Sequence, residues 1–311
     1  MKTEGTVLPS ALGGNELKPK LIALVGTNAS GKSALGISLA KEYDGEIVSA
    51  DSRQVYARLD LGSGKVTREE MQGVPHHLLD VRKPGEFFSM ADFQALAYDA
   101  IEDILSRGKQ PFLVGGTGLY VDAVTEGYVL SDKKPDPALR AHLETFSTPE
   151  LYQMLTRQQP ETDVDPRNRH RVMRMLEKIA AGDEGPAPRA PRYSVLKFGV
   201  TWPREILKQR IDERLERRLG QGMVEEVRSL LADGVSPEFL TKLGLEYKYL
   251  TWYLTGRMPY DQMVEELGLA IKRFAKRQMI WFRRDPSIIW LDMSGDPLSQ
   301  ARPHVESFLK D

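Results

Sequence analysis

The stretch LIALVGTNASGKS, residues 21–33, carries the strongest structural signal in the chain. Its first six residues are apolar without alternation, which is typical of a parallel strand buried on both faces. Its last eight residues, Gly26 to Ser33, match the pattern G-x-x-x-x-G-K-[ST]. Apolar residues at helical spacing follow this motif. A glycine-rich turn between a strand and a helix directs backbone N–H groups toward phosphate oxygens. The sequence therefore predicts a polyphosphate-binding loop, or P-loop.

Buried strands and amphipathic helices alternate through the first 120 residues. After a predicted helix at 33–43, strand-like runs at 46–51 and 111–116 flank an amphipathic helix at 92–108. Such alternation predicts a parallel sheet with helices on both faces. Because the first strand leads into a P-loop, the expected fold is α/β with a P-loop NTPase-like core.

The composition changes near residue 126. Proline and other turn-forming residues dominate 126–194, with short helices between them, and strand character returns at 194–202 and 287–293. A long helical stretch is expected over 203–234, and a short tail after 293. We therefore predict a flexible N-terminal tail (1–18), a P-loop catalytic core (19–125 plus 195–311) and a helical insertion (126–194).

Composition restricts the possible chemistry. The chain has 311 residues, a net charge of −1 and no cysteine. Disulfides, thiolate zinc sites, iron–sulfur clusters and a cysteine nucleophile are therefore excluded. No apolar run approaches the ~20 residues that span a bilayer, so no membrane association and a cytoplasmic location are expected.

Three polar residues are expected around the P-loop. Lys32 can place positive charge on the terminal phosphate, and the Ser33 hydroxyl can ligate Mg²⁺. Asp51 ends the second strand, and ligands of open parallel sheets bind beyond the carboxyl ends of strands. Its carboxylate can act as a general base or hold magnesium through water, although a solvated turn residue is the alternative. Thr117 follows the third strand and would face the same crevice.

The P-loop motif is common in ATP-binding and other nucleotide-binding proteins, and it does not identify the phosphate compound. An ATPase is expected to carry an acid after another strand, for magnesium and water. The apolar run 111–116 ends in Gly-Gly and is followed by Thr117 instead of an acid. The acid is Asp51, on the strand after the P-loop helix. This pattern favours group transfer over a switch driven by nucleotide hydrolysis.

Two basic clusters stand out on this near-neutral chain. RNRHRVMR (167–174) places Arg167, Arg171 and Arg174 on one helical face. KRFAKRQMIWFRR (272–284) has six Lys or Arg, no acid, and interleaved aromatics. Basic groups contact phosphates and aromatic rings stack on unpaired bases, so together the clusters indicate a local nucleic-acid surface. The alternative for each cluster is a solvated helix face.

Taken together, the motifs resemble the tRNA dimethylallyltransferase family, also called tRNA isopentenyltransferase. The matching stretches span residues 21 to about 292 and occur in one order: GTNASGKS, SADSRQVY, GVPHHLLD, FSMADFQ, RGKQPFLVGGTGLY, DPRNRHRVMRMLE, QGMVEEV and FAKRQMIWFRRDP. The resemblance implies transfer of a prenyl group from dimethylallyl diphosphate to the exocyclic amine of the adenosine 3′ of the anticodon. It also implies the tRNA anticodon loop as partner. Mg²⁺ is the expected cofactor because of the Ser33 hydroxyl of the P-loop, and the protein is expected to act as a monomer.

The resemblance also assigns roles to residues. Asp51 would accept the amine proton and Thr117 would contact the reacting region, with Ser33 on the metal. The diphosphate would be held by Gly26, Thr27, Asn28, Ala29, Ser30, Gly31, Lys32, Ser33 and Arg277. The tRNA would be contacted by Ser52, Arg53, Gln54, Arg140, Arg171, Arg174, Lys276, Gln278 and Trp281.

The chain departs from the family pattern at three places. Thr27-Asn28 replaces the usual Pro-Thr, Ser63-Gly64-Lys65-Val66 replaces Thr-Ala-Lys-Pro, and LGLEYKY (243–249) replaces the Gly-Tyr-Lys-Glu segment. Three other functions are compatible with parts of the sequence: an isopentenyltransferase acting on free adenylate, a P-loop small-molecule kinase, and a non-catalytic RNA-binding protein. The basic insertion argues against the first, the lack of a distinct adenine-binding lid against the second, and Asp51 with an intact P-loop against the third.

Overall fold

A six-stranded parallel sheet forms the centre of the computed structural model, which describes residues 18–130, 136–182 and 189–310. The strand order is β3-β2-β4-β1-β5-β6. The predicted tail lies outside the described residues except for Lys18. The α/β prediction is confirmed. The strands are β1 (Lys20–Gly26), β2 (Gly45–Ala50), β3 (His76–His77), β4 (Gln110–Gly115), β5 (Ser194–Thr201) and β6 (Ile289–Asp292).

Helices lie between the strands and beyond one edge of the sheet. In chain order the described residues form α1 (Lys32–Glu42), α2 (Arg68–Met71), α3 (Met90–Ser106), α4 (Gly118–Thr125), α5 (Pro137–Glu144), α6 (Thr148–Gln158), α7 (Arg169–Ala180), α8 (Arg204–Gly220), α9 (Met223–Ala232), α10 (Pro237–Leu243), α11 (Leu245–Leu254), α12 (Tyr260–Phe282) and α13 (Pro297–Lys310). No helix among these is long and apolar enough to cross a membrane.

Both faces of the sheet are covered, as the uninterrupted apolar strands require. On one face, Leu21, Ala23 and Val25 of β1 pack with α3, α4 and the end of α12. On the other face, Ile22 and Leu24 pack with α1 and α13. Alternate residues of β1 therefore belong to two different cores. The P-loop begins where this strand ends, at the carboxyl edge of the sheet.

A separate helical layer lies next to that edge. Helices α8 to α12 bury a shared apolar cluster that includes Leu215, Val227 and Leu267. Val55 and Leu59, from the segment that follows β2, belong to the same cluster. The helical layer is therefore attached to the loop that carries Asp51, and it places side chains of α8, α11 and α12 opposite the P-loop.

Helices α5, α6 and α7 have their own apolar cluster, in which Leu143, Leu151, Leu155 and Leu176 are buried. These helices lie within the segment predicted as an insertion, between α4 and β5. Residues 131–135 and 183–188 of that segment lie outside the described ranges. The domain boundaries stay a prediction.

Two expectations about the C-terminal half are wrong. The stretch 203–234 is two helices, because the chain leaves helical geometry at Gly222, whose φ of 98° lies in the left-handed region, before α9 begins. The expected short tail after 293 is the 14-residue helix α13, whose Ala301 and Val305 are fully buried against the sheet. Pro303 and a polar composition conceal this helix in the sequence.

Candidate active site

A cavity of about 540 Å³ opens at the carboxyl edge of the sheet, between the P-loop and the helical layer. Its lining includes the P-loop residues 28–33, the segment 51–54 after β2, and Thr117 after β4. Helices α8, α11 and α12 close the opposite side with Arg214, Glu246 and Gln278. The sequence-predicted P-loop, Asp51 and Thr117 are thus brought together in one crevice. Gly26 ends β1, and Thr27, fully buried, begins the loop.

The P-loop backbone turns sharply and its carbonyl groups are held by the protein. Ala29 and Gly31 have positive φ angles of 60° and 89°. Trp202 Nε1 donates to the Ser30 carbonyl at 2.9 Å, and Arg210 Nε donates to the Ala29 carbonyl at 3.0 Å. These bonds turn both carbonyl oxygens away from phosphate, which leaves a cradle of N–H groups at the start of α1.

Lys32 is the cation of the loop. Its Nζ donates to the Thr27 carbonyl at 3.2 Å. Burial, with Arg214 and Arg218 nearby, lowers the pKa of Lys32 to about 8, although the carboxylate of Asp51 acts in the opposite sense. Desolvation is the largest cause of this shift, and the neighbouring arginines outweigh the Asp51 carboxylate, so the ammonium has too little negative charge around it. An anion in the cavity would supply that charge.

The arginines of α8 are not among the site residues predicted from the sequence. Arg210, Arg214 and Arg218 recur every four residues, so they share one helical face, and all three line the cavity. Burial, together with Arg218, lowers the pKa of Arg214 to about 9. The i, i+4, i+8 spacing in RIDERLERR is the signal that the sequence offers. It does not by itself indicate a site, because most charged helix faces are simply solvated.

The departure from the family pattern at Gly64 accommodates these arginines. Gly64 has φ 68°, and a Cβ atom placed there would overlap the guanidinium groups of both Arg214 and Arg218. Its carbonyl accepts a hydrogen bond from Gln54 Nε2 at 3.2 Å. A residue with a side chain at this position would displace the two guanidinium groups from the cavity wall.

Asp51 and Thr117 are oriented by the loops that carry them. Asp51 Oδ1 accepts the Arg53 N–H at 2.9 Å and the Gln54 N–H at 3.4 Å. Thr117 Oγ1 accepts the Ser52 N–H at 3.1 Å, and the Thr117 N–H donates to the Ala50 carbonyl at 3.2 Å. These bonds join the ends of β2 and β4, so a carboxylate and a hydroxyl are fixed side by side at the cavity wall.

The side chains of Arg53 and Gln54 already have partners within the protein. Arg53 forms an ion pair of 2.5 Å with Glu246 of α11, and both side chains are nearly buried. Gln54 accepts from Ser49 Oγ at 3.0 Å through its amide oxygen. Glu246 belongs to the segment LGLEYKY, so this departure from the family pattern lies against the cavity. The predicted tRNA contacts of Ser52, Arg53 and Gln54 stay predictions.

The residues predicted on α12 have different environments. Lys276 and Arg277 are exposed. Neither is among the lining residues of the cavity, so the predicted contact of Arg277 with diphosphate stays a prediction. Trp281 is half-buried, packs on Gly118 and donates from Nε1 to Asp122 at 2.9 Å. Gln278 is buried at the cavity wall.

Two of the three insertion arginines predicted to contact tRNA share one carboxylate. Arg140 Nε lies 2.6 Å from Glu177, and Arg174 Nη1 lies 3.3 Å from the same carboxylate, which is almost fully buried. Arg171 is exposed on the same helix as Arg174. One carboxylate thus orients two guanidinium groups and leaves a net positive charge on the surface of the insertion.

Oxygen donors at the cavity are compatible with magnesium. The Ser33 hydroxyl and the Asp51 carboxylate both line the cavity. Mg²⁺ usually binds one or two protein oxygens together with phosphate oxygens and water. The donor chemistry of these two residues therefore fits a magnesium ion that accompanies a polyphosphate.

The chain is similar in sequence to proteins of one known family. A family model described as IPP transferase matches residues 54–285, more than half of the chain. A protein named tRNA dimethylallyltransferase 2 from Shewanella sediminis is 44% identical over 289 residues, covering 90% of this chain and 96% of the relative. A protein of the same name from Citrifermentans bemidjiense is also 44% identical, covering 91% and 94%.

Two solved structures are similar over almost the whole chain. The full-length tRNA isopentenylpyrophosphate transferase from Bacillus halodurans is 36% identical with a TM-score of 0.74, covering 94% of this chain and 97% of that one. A eukaryotic dimethylallyltransferase acting on tRNA is 27% identical with a TM-score of 0.75, covering 93% and 77%. The resemblance seen in the sequence motifs is thereby confirmed: the chain belongs to the tRNA dimethylallyltransferase family, whose family model is described as IPP transferase.

Proposed function

We propose that this protein transfers the dimethylallyl group of dimethylallyl diphosphate to the exocyclic amine of the adenosine 3′ of the anticodon in tRNA. The observation that carries the proposal is the cavity itself. A P-loop, three α8 arginines and the Asp51 carboxylate face one space of about 540 Å³. That arrangement is suited to a reaction in which a diphosphate leaves while a weak nucleophile loses a proton.

The cations would act on the leaving group. As the allylic C–O bond breaks, its electron pair goes to the diphosphate oxygen, so negative charge grows at the bridging oxygen and positive charge at carbon. Lys32, Arg214 and Arg218 lie in fixed positions around the cavity. Preorganised positive charge in a partly desolvated site stabilises the growing negative charge more effectively than water does.

Asp51 would act on the nucleophile. The adenine amine is a poor nucleophile because its lone pair is delocalised into the ring. When the new C–N bond forms, the nitrogen becomes cationic and must lose a proton. The Asp51 carboxylate is oriented by the Arg53 and Gln54 N–H groups and can accept that proton, while Thr117 at its side can hydrogen-bond the reacting groups.

The Ser33 hydroxyl would hold magnesium, the Asp51 carboxylate could hold it through water, and the ion would screen the negative charge of the diphosphate. The supporting observations are the two oxygen donors at the cavity wall and the family to which the chain belongs.

We also propose a cytoplasmic, monomeric enzyme. The cysteine-free composition agrees with a reducing compartment. One chain supplies the P-loop, the base and the α8 arginines, so the proposed reaction requires no residue from a second copy. Sedimentation of the purified protein with and without tRNA would measure its oligomeric state.

The alternatives differ in the acceptor or the donor. An isopentenyltransferase for free adenylate needs no exposed basic group such as Arg140, Arg171 and Arg174 on a separate set of helices. A small-molecule kinase needs ATP as donor. The relatives and solved structures reported above all carry tRNA in their names.

One labelling experiment distinguishes these functions. Radiolabelled dimethylallyl diphosphate is incubated with the protein and either total tRNA or free AMP, and radiolabelled ATP is tested separately with small acceptors. We expect label in tRNA, confined to the anticodon loop after nuclease digestion. Label in AMP alone would indicate the adenylate enzyme, and phosphate transfer from ATP would indicate a kinase.

The arginines of the insertion predict a salt dependence. If Arg171 and Arg174 contact phosphates, the logarithm of the tRNA affinity should fall by about 0.7–0.9 per unit of log salt for each contact. Substituting both by Gln should make the slope shallower by that amount per lost contact. The matched control is Arg228→Gln, an exposed arginine paired with Glu225 on α9. An unchanged slope in the double variant would show that the cluster is a solvated helix face.

A further inference from the structure

Gln278 connects α12 to two of the loops that form the site. Its side chain is only 8% exposed. The amide oxygen accepts the Asn28 N–H at 3.0 Å, and the amide nitrogen donates to the Gly116 carbonyl at 2.8 Å. Both ends of the amide therefore have partners in the protein, one in the P-loop and one in the loop after β4.

The bond to Asn28 acts on a single peptide unit. The Thr27 carbonyl and the Asn28 N–H belong to the same rigid plane. Its N–H is held by Gln278, while its carbonyl accepts from Lys32 Nζ at 3.2 Å and from Ser30 Oγ at 2.7 Å. Rotation of this plane would move the acceptor that holds the Lys32 ammonium. Gln278 thus determines the orientation of a peptide that in turn orients the cation of the loop.

The bond to Gly116 joins the loop after β4 to the P-loop beyond the end of the sheet. Strands β1 and β4 are neighbours, but their ladder ends at Gly115, before either loop begins. A Cβ atom at Gly116 would lie 2.5 Å from Gln278 Nε2 and 3.6 Å from Lys32 Nζ. The absence of a side chain at Gly116 lets the glutamine amide lie between the two loops, next to the lysine.

We propose that Gln278 is a positioning residue for the diphosphate, acting through the Thr27–Asn28 peptide on Lys32, and not a contact for tRNA. This inference rests on the proposed function. Arg273, Lys276 and Arg277 of the same helix are exposed, and none of them lines the cavity. Helix α12 therefore presents a basic face outside and one buried amide inside.

The test uses Gln278→Met, which keeps the length of the side chain and removes both hydrogen bonds. Binding of inorganic diphosphate with magnesium is measured by calorimetry, and the KM values for dimethylallyl diphosphate and tRNA are measured separately. We expect diphosphate to bind about tenfold more weakly, the expected effect of losing a buried hydrogen-bond pair. The KM for the prenyl donor should rise by a similar factor, and the KM for tRNA should change by less than twofold.

Gln262→Met is the matched control, because Gln262 lies on the same helix and makes an exposed hydrogen bond to Glu266, outside the cavity lining. A second variant, Gln278→Glu, keeps an acceptor for the Asn28 N–H but adds negative charge, and should bind diphosphate more weakly than Gln278→Met does. A lowered Tm with an unchanged KM for the prenyl donor would show a purely structural role. An equal rise of both KM values would overturn the proposal as well. If wild-type protein bound diphosphate but prenylated no tRNA, the proposed function would fail while the role of Gln278 in diphosphate binding stood.

Discussion

Asp51→Asn is expected to lower the single-turnover rate of prenyl transfer by about 10²–10⁴-fold, the usual contribution of a general base. Asparagine has the same shape, and its Oδ1 can still accept the Arg53 and Gln54 N–H groups that orient residue 51. It cannot accept the proton that the amine must lose. Both substrate affinities should therefore remain close to those of the wild type, while the chemical step slows.

The measurement is rapid quench with both substrates bound before mixing with magnesium. Asp44→Asn is a suitable control, because Asp44 is exposed and paired with Lys109 at the opposite end of β2. If only an affinity changed and the single-turnover rate did not, Asp51 would be a binding residue and the base would have to be sought elsewhere.

Lys32→Ala should reduce prenyl transfer by about 10²–10³-fold, the typical effect of removing one preorganised group that stabilises charge in the transition state. Affinity for tRNA should be nearly unchanged, because Lys32 lies inside the P-loop cavity. The folded protein without ligand should be no less stable than wild type. The substitution removes a buried ammonium that faces Arg214 and Arg218.

Rates under single-turnover conditions, tRNA binding and thermal unfolding should be measured together. Lys41→Ala serves as control, since Lys41 lies on the same helix and bonds Gln72 at an exposed position. Transfer near the wild-type rate would remove the P-loop from the proposed mechanism. A large fall in Tm would mean that Lys32 supports the fold.

The site residues that could be predicted from the sequence are those whose positions are determined by local sequence patterns. An uninterrupted apolar run identifies a buried parallel strand, and the carboxyl ends of parallel strands meet at one edge of the sheet. The P-loop, Asp51 and Thr117 are therefore expected to lie together on sequence grounds alone. Short-range rules suffice because each of these residues directly follows a strand.

The remainder depends on packing between distant segments. Arg53 pairs with Glu246, which is 193 positions away, and nothing near Arg53 in the sequence indicates that partner. The α8 arginines face a cavity only because α8 to α12 pack on Val55 and Leu59. Gln278 lies in a motif that suggests nucleic-acid contact, yet its amide is buried and bonds the P-loop and the loop after β4. Helix α13 is stabilised by burial of Ala301 and Val305 against the sheet, and not by the helix propensity of its sequence, which contains Pro303.

The grouping of Lys32, Arg214 and Arg218 has a consequence for the lifetime of the protein. Like charges held together in a desolvated pocket oppose folding, and under the proposed function a bound diphosphate would be their counter-ion. A ligand that binds only the folded state stabilises it by mass action, by about 2.7 kcal/mol at a hundredfold excess over Kd. The supply of isoprenoid precursor would therefore set how much of this chain escapes proteolysis, in addition to how fast each folded molecule turns over.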